Sequence, residues 1–162
     1  MTTIVFAGAD KLTQKLVKDI FLKKKSVIIT KKEILISGNK YLINFDLSKN
    51  LPKDKAIYVF GGEKIPKNIQ ISDDSICICL GNDKNALCSL YNKNLNVITC
   101  GLKGTDTITF SSLDNTKLLS LQRTVNSINN LKIEPFDFKN KINSDNKETM
   151  LLIKSLLLIL GY

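Results

Sequence analysis

The run Thr3-Ile4-Val5-Phe6-Ala7-Gly8-Ala9-Asp10-Lys11-Leu12-Thr13-Gln14-Lys15-Leu16-Val17-Lys18-Asp19-Ile20-Phe21 carries two hydrophobic periods in succession. Residues 3–7 are apolar and β-branched, and Gly8-Ala9-Asp10 stops them. That is the pattern of a short buried strand. Leu12, Leu16, Val17, Ile20 and Phe21 then recur at helical spacing, which predicts an amphipathic helix over residues 12–24. Strand, glycine turn and helix in that order open a parallel α/β unit.

Several short apolar runs follow. Residues 26–30 and 33–37 read as strands joined tightly through Lys31-Lys32. Residues 41–45 alternate apolar and polar, with Lys40, Asn44 and Asp46 on one side. Residues 56–60 form a buried strand broken by Gly61-Gly62, and residues 76–80 another, followed by Gly81-Asn82-Asp83. Residues 84–92 suit a short helix with Ala86, Leu87, Leu90 and Tyr91 inward, and residues 97–100 a strand ended by Gly101. Beyond it the pattern is all β. Runs at 107–111, 118–125 and 131–138 predict a β-meander extension over residues 107–138, its clearest turn at Ser111-Ser112-Leu113-Asp114-Asn115. After a polar surface loop over residues 139–146 comes a last helix, residues 146–160. Asp145 is its expected N-cap, Glu148 the N3 partner of a capping box, and Gly161 the C′ residue. The helix is apolar nearly all round, which predicts burial against a sheet rather than a place at a membrane surface.

The length of 162 residues fits one domain, residues 1–162, large enough to bury a core of its own. Hydrophobic residues at 43% and charged residues at 24% exclude a disordered chain. The net charge of +9 implies attraction to an anion, but a Lys-, Asn- and Ile-rich composition with Arg123 as sole arginine also follows from A/T-biased codons. The lysines are scattered, with runs only at residues 23–25 and 31–32. Nucleic-acid binders concentrate arginine, aromatics or a basic stripe, so nucleic acid is the least favoured partner. Cys77, Cys79, Cys88 and Cys100 lack zinc-finger spacing, and there is no histidine. All four are expected to be buried free thiols in a reducing cytosol, with no metal bound. No signal peptide is expected at the N-terminus, and the apolar stretch at residues 150–160 is too short to span a bilayer. The expected compartment is the cytoplasm.

From Gly81-Asn82-Asp83-Lys84-Asn85-Ala86-Leu87 through Asn96-Val97-Ile98-Thr99-Cys100-Gly101 the chain resembles the central domain of Mur ligases. In that family a strand ends in Asn and Asp, a short helix follows, and the next strand carries a Val-Ile-Thr-aromatic-Gly run. The Asp-containing extension into β structure would be Leu102-Lys103-Gly104-Thr105-Asp106-Thr107-Ile108-Thr109-Phe110. The closing helix is similar as well: Asn146 stands where the family's first motif Asn belongs, and Gly161 where its terminal glycine does. Residues 107–138 stand where the family has an accessory β-meander, and this run, including Ser120-Leu121-Gln122-Arg123, also resembles small uncharacterised proteins of low-GC Gram-positive bacteria. The resemblance implies an α/β fold with a mostly parallel sheet of P-loop/Mur-ligase central-domain type, a β-meander extension and a buried C-terminal helix.

It also implies a nucleotide site made of Gly8, Lys11, Thr13, Asn82, Asp83 and Asn146, and here that site is vestigial. The family's phosphate loop reads Gly-Thr-Asn-Gly-Lys-Thr-Thr, whose backbone amides and lysine grip the phosphates. This chain has Gly8-Ala9-Asp10-Lys11-Leu12-Thr13-Gln14, with Lys11 for the second glycine, Leu12 for the lysine, and Asp10 where phosphate would sit. Asp145 replaces the motif His, and Thr149 its second Asn. The middle of the family's domain, with its magnesium-binding Glu and modified Lys, is missing, as are its substrate and C-terminal domains. No catalytic Ser-His-Asp, Cys-His or metal motif can be assembled. The expectation is a non-catalytic binding or interaction domain without a cofactor, whose partner is another protein, a small anionic ligand or a second copy. One alternative is a nucleotide-dependent enzyme or subunit that binds ATP or another nucleotide through a degenerate loop. The other is a basic nucleic-acid-binding domain.

Overall fold

The computed structural model of the chain describes residues 2–22, 27–29, 33–36, 41–45, 52, 54–61, 69–91, 93–112, 115–142 and 146–162. The first two elements are β1 (Thr2–Ala7) and α1 (Lys11–Leu22). Alternation along β1 sends Ile4 and Phe6 to one face of the sheet and Val5 and Ala7 to the other. α1 lies on the first face through Val17 and Phe21, with Leu16 and Ile20 beside them. Leu12 departs from the expected inward stripe: it is 76% exposed, and buried Thr13 takes the inward place in the first turn. Residues 23 and 24 of the predicted helix lie outside the described residues.

The sheet continues with β2 (Val27–Ile29), β3 (Glu33–Ile36), β4 (Tyr41–Asn44), β5 (Ala56–Phe60) and β6 (Ile76–Leu80). α2 (Lys84–Leu90) then precedes β7 (Asn96–Cys100). The expected Lys31-Lys32 connection and the placement of Lys40 and Asp46 lie outside the described residues. Ten strands form one mixed sheet in the order β12-β9-β8-β7-β6-β5-β1-β4-β3-β2, in which β8 is Ile108–Ser112, β9 is Asn115–Leu121 and β12 is Phe136–Lys139. The pairings from β4 through β1, β5, β6 and β7 to β8 are parallel, and only β9 and β3 run against the rest. The architecture is therefore α/β with a mostly parallel sheet. The chain adds β4 on one side of β1 and then returns to add β5 on the other. That reversal makes the carboxyl ends of β1 and β5 a topological switch point, where open α/β sheets bind ligands.

The closing helix α3 (Lys147–Ile159) is buried as its composition predicts. Met150, Leu151, Ile153, Leu156 and Ile159 join the same core as α1, together with Ile78, Ile98 and Ile108 of the sheet. α2 covers the other face, where Ala86 and Leu90 meet Tyr58, Phe60, Cys77 and Cys79. Two expectations fail at α2. Tyr91 is 76% exposed because the helix ends at Leu90 and Tyr91 turns extended, at φ −60° and ψ 142°. Cys88 is exposed because it lies opposite the Ala86–Leu90 stripe, so the buried free thiols are Cys77, Cys79 and Cys100.

The extension departs from a three-strand meander. The run at 118–125 divides into β9 and β10 (Val125–Asn126), and the run at 131–138 into β11 (Lys132–Ile133) and β12. β10 and β11 form a separate two-stranded sheet, while β12 pairs with β9. Pro135 stands at the second break, where it has no N–H for a ladder. At the first break the Gln122 N–H donates to the Thr107 carbonyl, at 2.8 Å, in continuation of the β8–β9 register. β8 meets β7 only at the Cys100–Ile108 pair, where β7 ends, and runs on from there. The β8–β9 hairpin therefore stands beyond the carboxyl edge of the parallel strands.

Candidate binding edge

β1 leaves the sheet through Gly8, whose φ of 77° lies in the left-handed region that favours glycine. The ends of β1 and β5 close on each other there. Gly61 donates its N–H to the Ala7 carbonyl at 2.8 Å, and a Cβ on Gly61 would stand 3.2 Å from the Gly8 oxygen. The next residues hold the start of α1 from within. Asp10 Oδ1 accepts from the Thr13 N–H at 2.7 Å, and Gln14 Nε2 donates to the Ala9 carbonyl at 2.9 Å. The Thr13 hydroxyl and then its N–H hold the Asp10 carboxyl below its usual range, so it is ionised at neutral pH. The helix amide that a bound phosphate would use already faces an anion. Lys11 and Leu12 both point to solvent.

The other predicted site residues stand along the same edge. Asn82 follows β6 and donates from Nδ2 to Glu148 Oε1 at 3.0 Å, joining that strand end to the first turn of α3. Asp83 caps α2 by accepting the Ala86 N–H at 3.0 Å; its buried Oδ2 has no partner among the described residues. Asn146, not Asp145, caps α3, accepting the Thr149 N–H at 3.0 Å. Asp145 lies outside the described residues, and Glu148 is engaged with Asn82 rather than with a capping box. Thr149 Oγ1 in turn lies 3.4 Å from Thr13 Oγ1, tying α3 to α1. Thr13, Asn82 and Asn146 are thus brought together through the first turn of α3, with Gly8, Lys11 and Asp83 on the adjoining turns.

One residue of the segment 102–110 packs against both neighbouring strand ends. Asp106 is 5% exposed, and its carboxylate fills the space beside both Gly81 and Gly101. A Cβ on Gly81 would collide with Oδ1, and one on Gly101 with Oδ2. The Lys103 N–H donates to Asp106 Oδ2 at 3.1 Å, closing the 103–106 turn, and Arg123 Nη2 braces it through the Thr105 carbonyl at 2.8 Å. The sequence signal was a glycine directly after each of two neighbouring strands. It became legible only once β6 and β7 were known to be adjacent.

No family model, no curated protein and no solved structure matches this chain. Among the described residues no group of three or more His, Cys, Asp or Glu side chains is arranged to hold a metal ion. The Thr13 hydroxyl is shared between the Asp10 carboxylate and the Thr149 hydroxyl, 3.4 Å away. The edge also carries exposed cations. Lys11, Lys84 and Lys147 are each the first residue of a helix, each follows an Asp or Asn that caps it, and all three are exposed. Cations there oppose the positive end of a helix dipole, at a typical cost of about 0.3–1 kcal/mol each. Three helix starts on one edge therefore present lysine ammonium groups without an internal reason for them.

Proposed function

We propose that this chain is a Mur-ligase-like α/β domain that binds without catalysing. In this reading the carboxyl edge of its sheet takes an acidic protein segment or a small anionic ligand. The observation that carries the reading is the arrangement at that edge. Asp10 occupies the amide end of α1, while exposed Lys11, Lys84 and Lys147 rim the surface around Asn82 and Asn146. An internal carboxylate excludes a triphosphate from the loop after β1 but leaves the lysine rim free to meet anionic groups outside it. The Mur-ligase relationship is supported by Asn82 and Asp83 at the end of β6, by α2 and β7 after them, and by α3 ending at Gly161. Three buried free thiols suit a reducing compartment such as the cytoplasm. No helix among the described residues is long and apolar enough to cross a membrane.

Calorimetric titration with ATP and magnesium tests the reading. No saturable binding is expected in the native chain. Asp10→Ala, which uncovers the α1 amides, is expected to gain weak phosphate affinity and to lose about 1 kcal/mol of stability with the cap. Micromolar ATP binding that disappears in Lys11→Ala would establish a working nucleotide site instead. A glutamate-rich peptide is expected to bind the native chain and to weaken when Lys11, Lys84 and Lys147 are changed together to Gln.

A further inference from the structure

The sheet ends on one side at β12, and no described residue pairs with its outer edge. The strand is Phe136-Asp137-Phe138-Lys139. Phe136 and Phe138 share a face, their ring centroids 5.3 Å apart, and Phe136 is 43% exposed. Asp137 and Lys139 occupy the opposite face and are exposed. An open edge that carries apolar side chains is a template for another strand.

The order of side chains identifies that strand. In antiparallel pairing of β12 with a second β12 about Phe138, residue 137 of each copy lies opposite residue 139 of the other. Both directly opposed pairs on one face are then Asp–Lys. On the other face Phe138 meets Phe138, and each Phe136 lies diagonal to the other copy's Phe138, within reach of an aromatic ring. A second β12 satisfies both conditions at once. We propose that two copies of this chain associate through β12 in this antiparallel register, continuing the ten-stranded sheet across a two-fold axis. Pro135 immediately before the strand has no N–H for a ladder and ends the pairing on the amino side, so the seam is short. The dimer is accordingly weak and concentration-dependent, and it leaves the lysine-rimmed edge free.

Sedimentation equilibrium of the full chain over a wide concentration range at physiological salt reads the association directly. The average mass is expected to rise from that of the monomer toward twice that value. Lys139→Asp, which sets like charges opposite each other in both pairs, is expected to weaken association by about tenfold or more. The double exchange Asp137→Lys with Lys139→Asp restores the opposition and is expected to recover the native affinity. Both positions are exposed, and circular dichroism verifies that the variants fold. A native chain that stays monomeric throughout overturns the proposal. So does a dimer indifferent to Lys139→Asp, or a loss that the double exchange fails to repair.

Discussion

At the residue scale the carboxyl edge is organised by two aspartates with different duties. Asp10 is exposed and local, and its carboxylate takes the place of an anion at the start of α1. Asp106 is buried and long-range, and it demands glycine at the ends of two strands. Its role makes a sharp prediction. Gly81→Ala pushes a methyl group into a buried carboxylate and is expected to destabilise the fold by about 1–3 kcal/mol, in the range of overpacking a filled site. Asp106→Ala is itself destabilising, since the Lys103 N–H loses its acceptor. The pair together is expected to cost less than the sum of the two, because the first collision disappears with the carboxylate. A double-mutant cycle by urea denaturation measures that coupling, and strict additivity would refute the packing role of Asp106.

At the element scale α3 is the piece that joins sheet to site. Its buried side chains belong to the core shared with α1, while its first turn reaches Asn82 through Glu148 and Thr13 through Thr149. Both ends are stopped by local chemistry. At the far end Gly161 adopts φ 83°, its N–H bonds the Leu158 carbonyl at 3.0 Å, and the Tyr162 N–H bonds the Leu157 carbonyl at 2.9 Å, a Schellman arrangement. At the near end the Asn146 cap is expected to contribute about 1 kcal/mol, read as the loss of stability in Asn146→Ala. That variant should also loosen the lysine-rimmed edge, since the first turn of α3 carries Lys147 and Glu148. Amide exchange at Lys147, Glu148 and Thr149 should rise in it, while exchange near Ile159 should not. Equal acceleration along the whole helix would mean that the cap acts on α3 as a unit.

At the scale of the whole molecule the buried thiols link folding to pH. Burial is the main cause that pushes Cys77 and Cys79 up to about 12, and it raises Cys100 further. These groups hold their protons in the folded chain after the unfolded chain has released its own. The unfolded state therefore binds fewer protons above its thiol range of about 8.5, and stability falls as pH rises from there toward 12. Below that range the thiols contribute no slope. Urea midpoints of the reduced protein are expected to decline steadily above about pH 9, and less steeply in Cys77→Ala than in the native chain. A flat profile would show that the thiols are not shielded. Under native conditions a thiol reagent should modify Cys88 rapidly and the other three only on unfolding, because Cys88 is the exposed one.

Much of this molecule is written in local pattern. The continuous apolar runs of β1, β5 and β6, the helical spacing of α1, the apolar length of α3 and the glycine after it are all consequences of which faces a segment buries and how its backbone must turn. Neighbours in sequence carry that information. Tertiary structure alone decided that Leu12 faces solvent, that β12 rather than β11 joins β9, and that Gly81 and Gly101 flank one buried carboxylate. It also brought the three lysine-led helix starts to a single edge. Those features depend on pairing between segments far apart in the chain. Strand order is fixed by the burial and hydrogen bonding of the assembled sheet, and local periodicity records that a face is buried but not what lies against it.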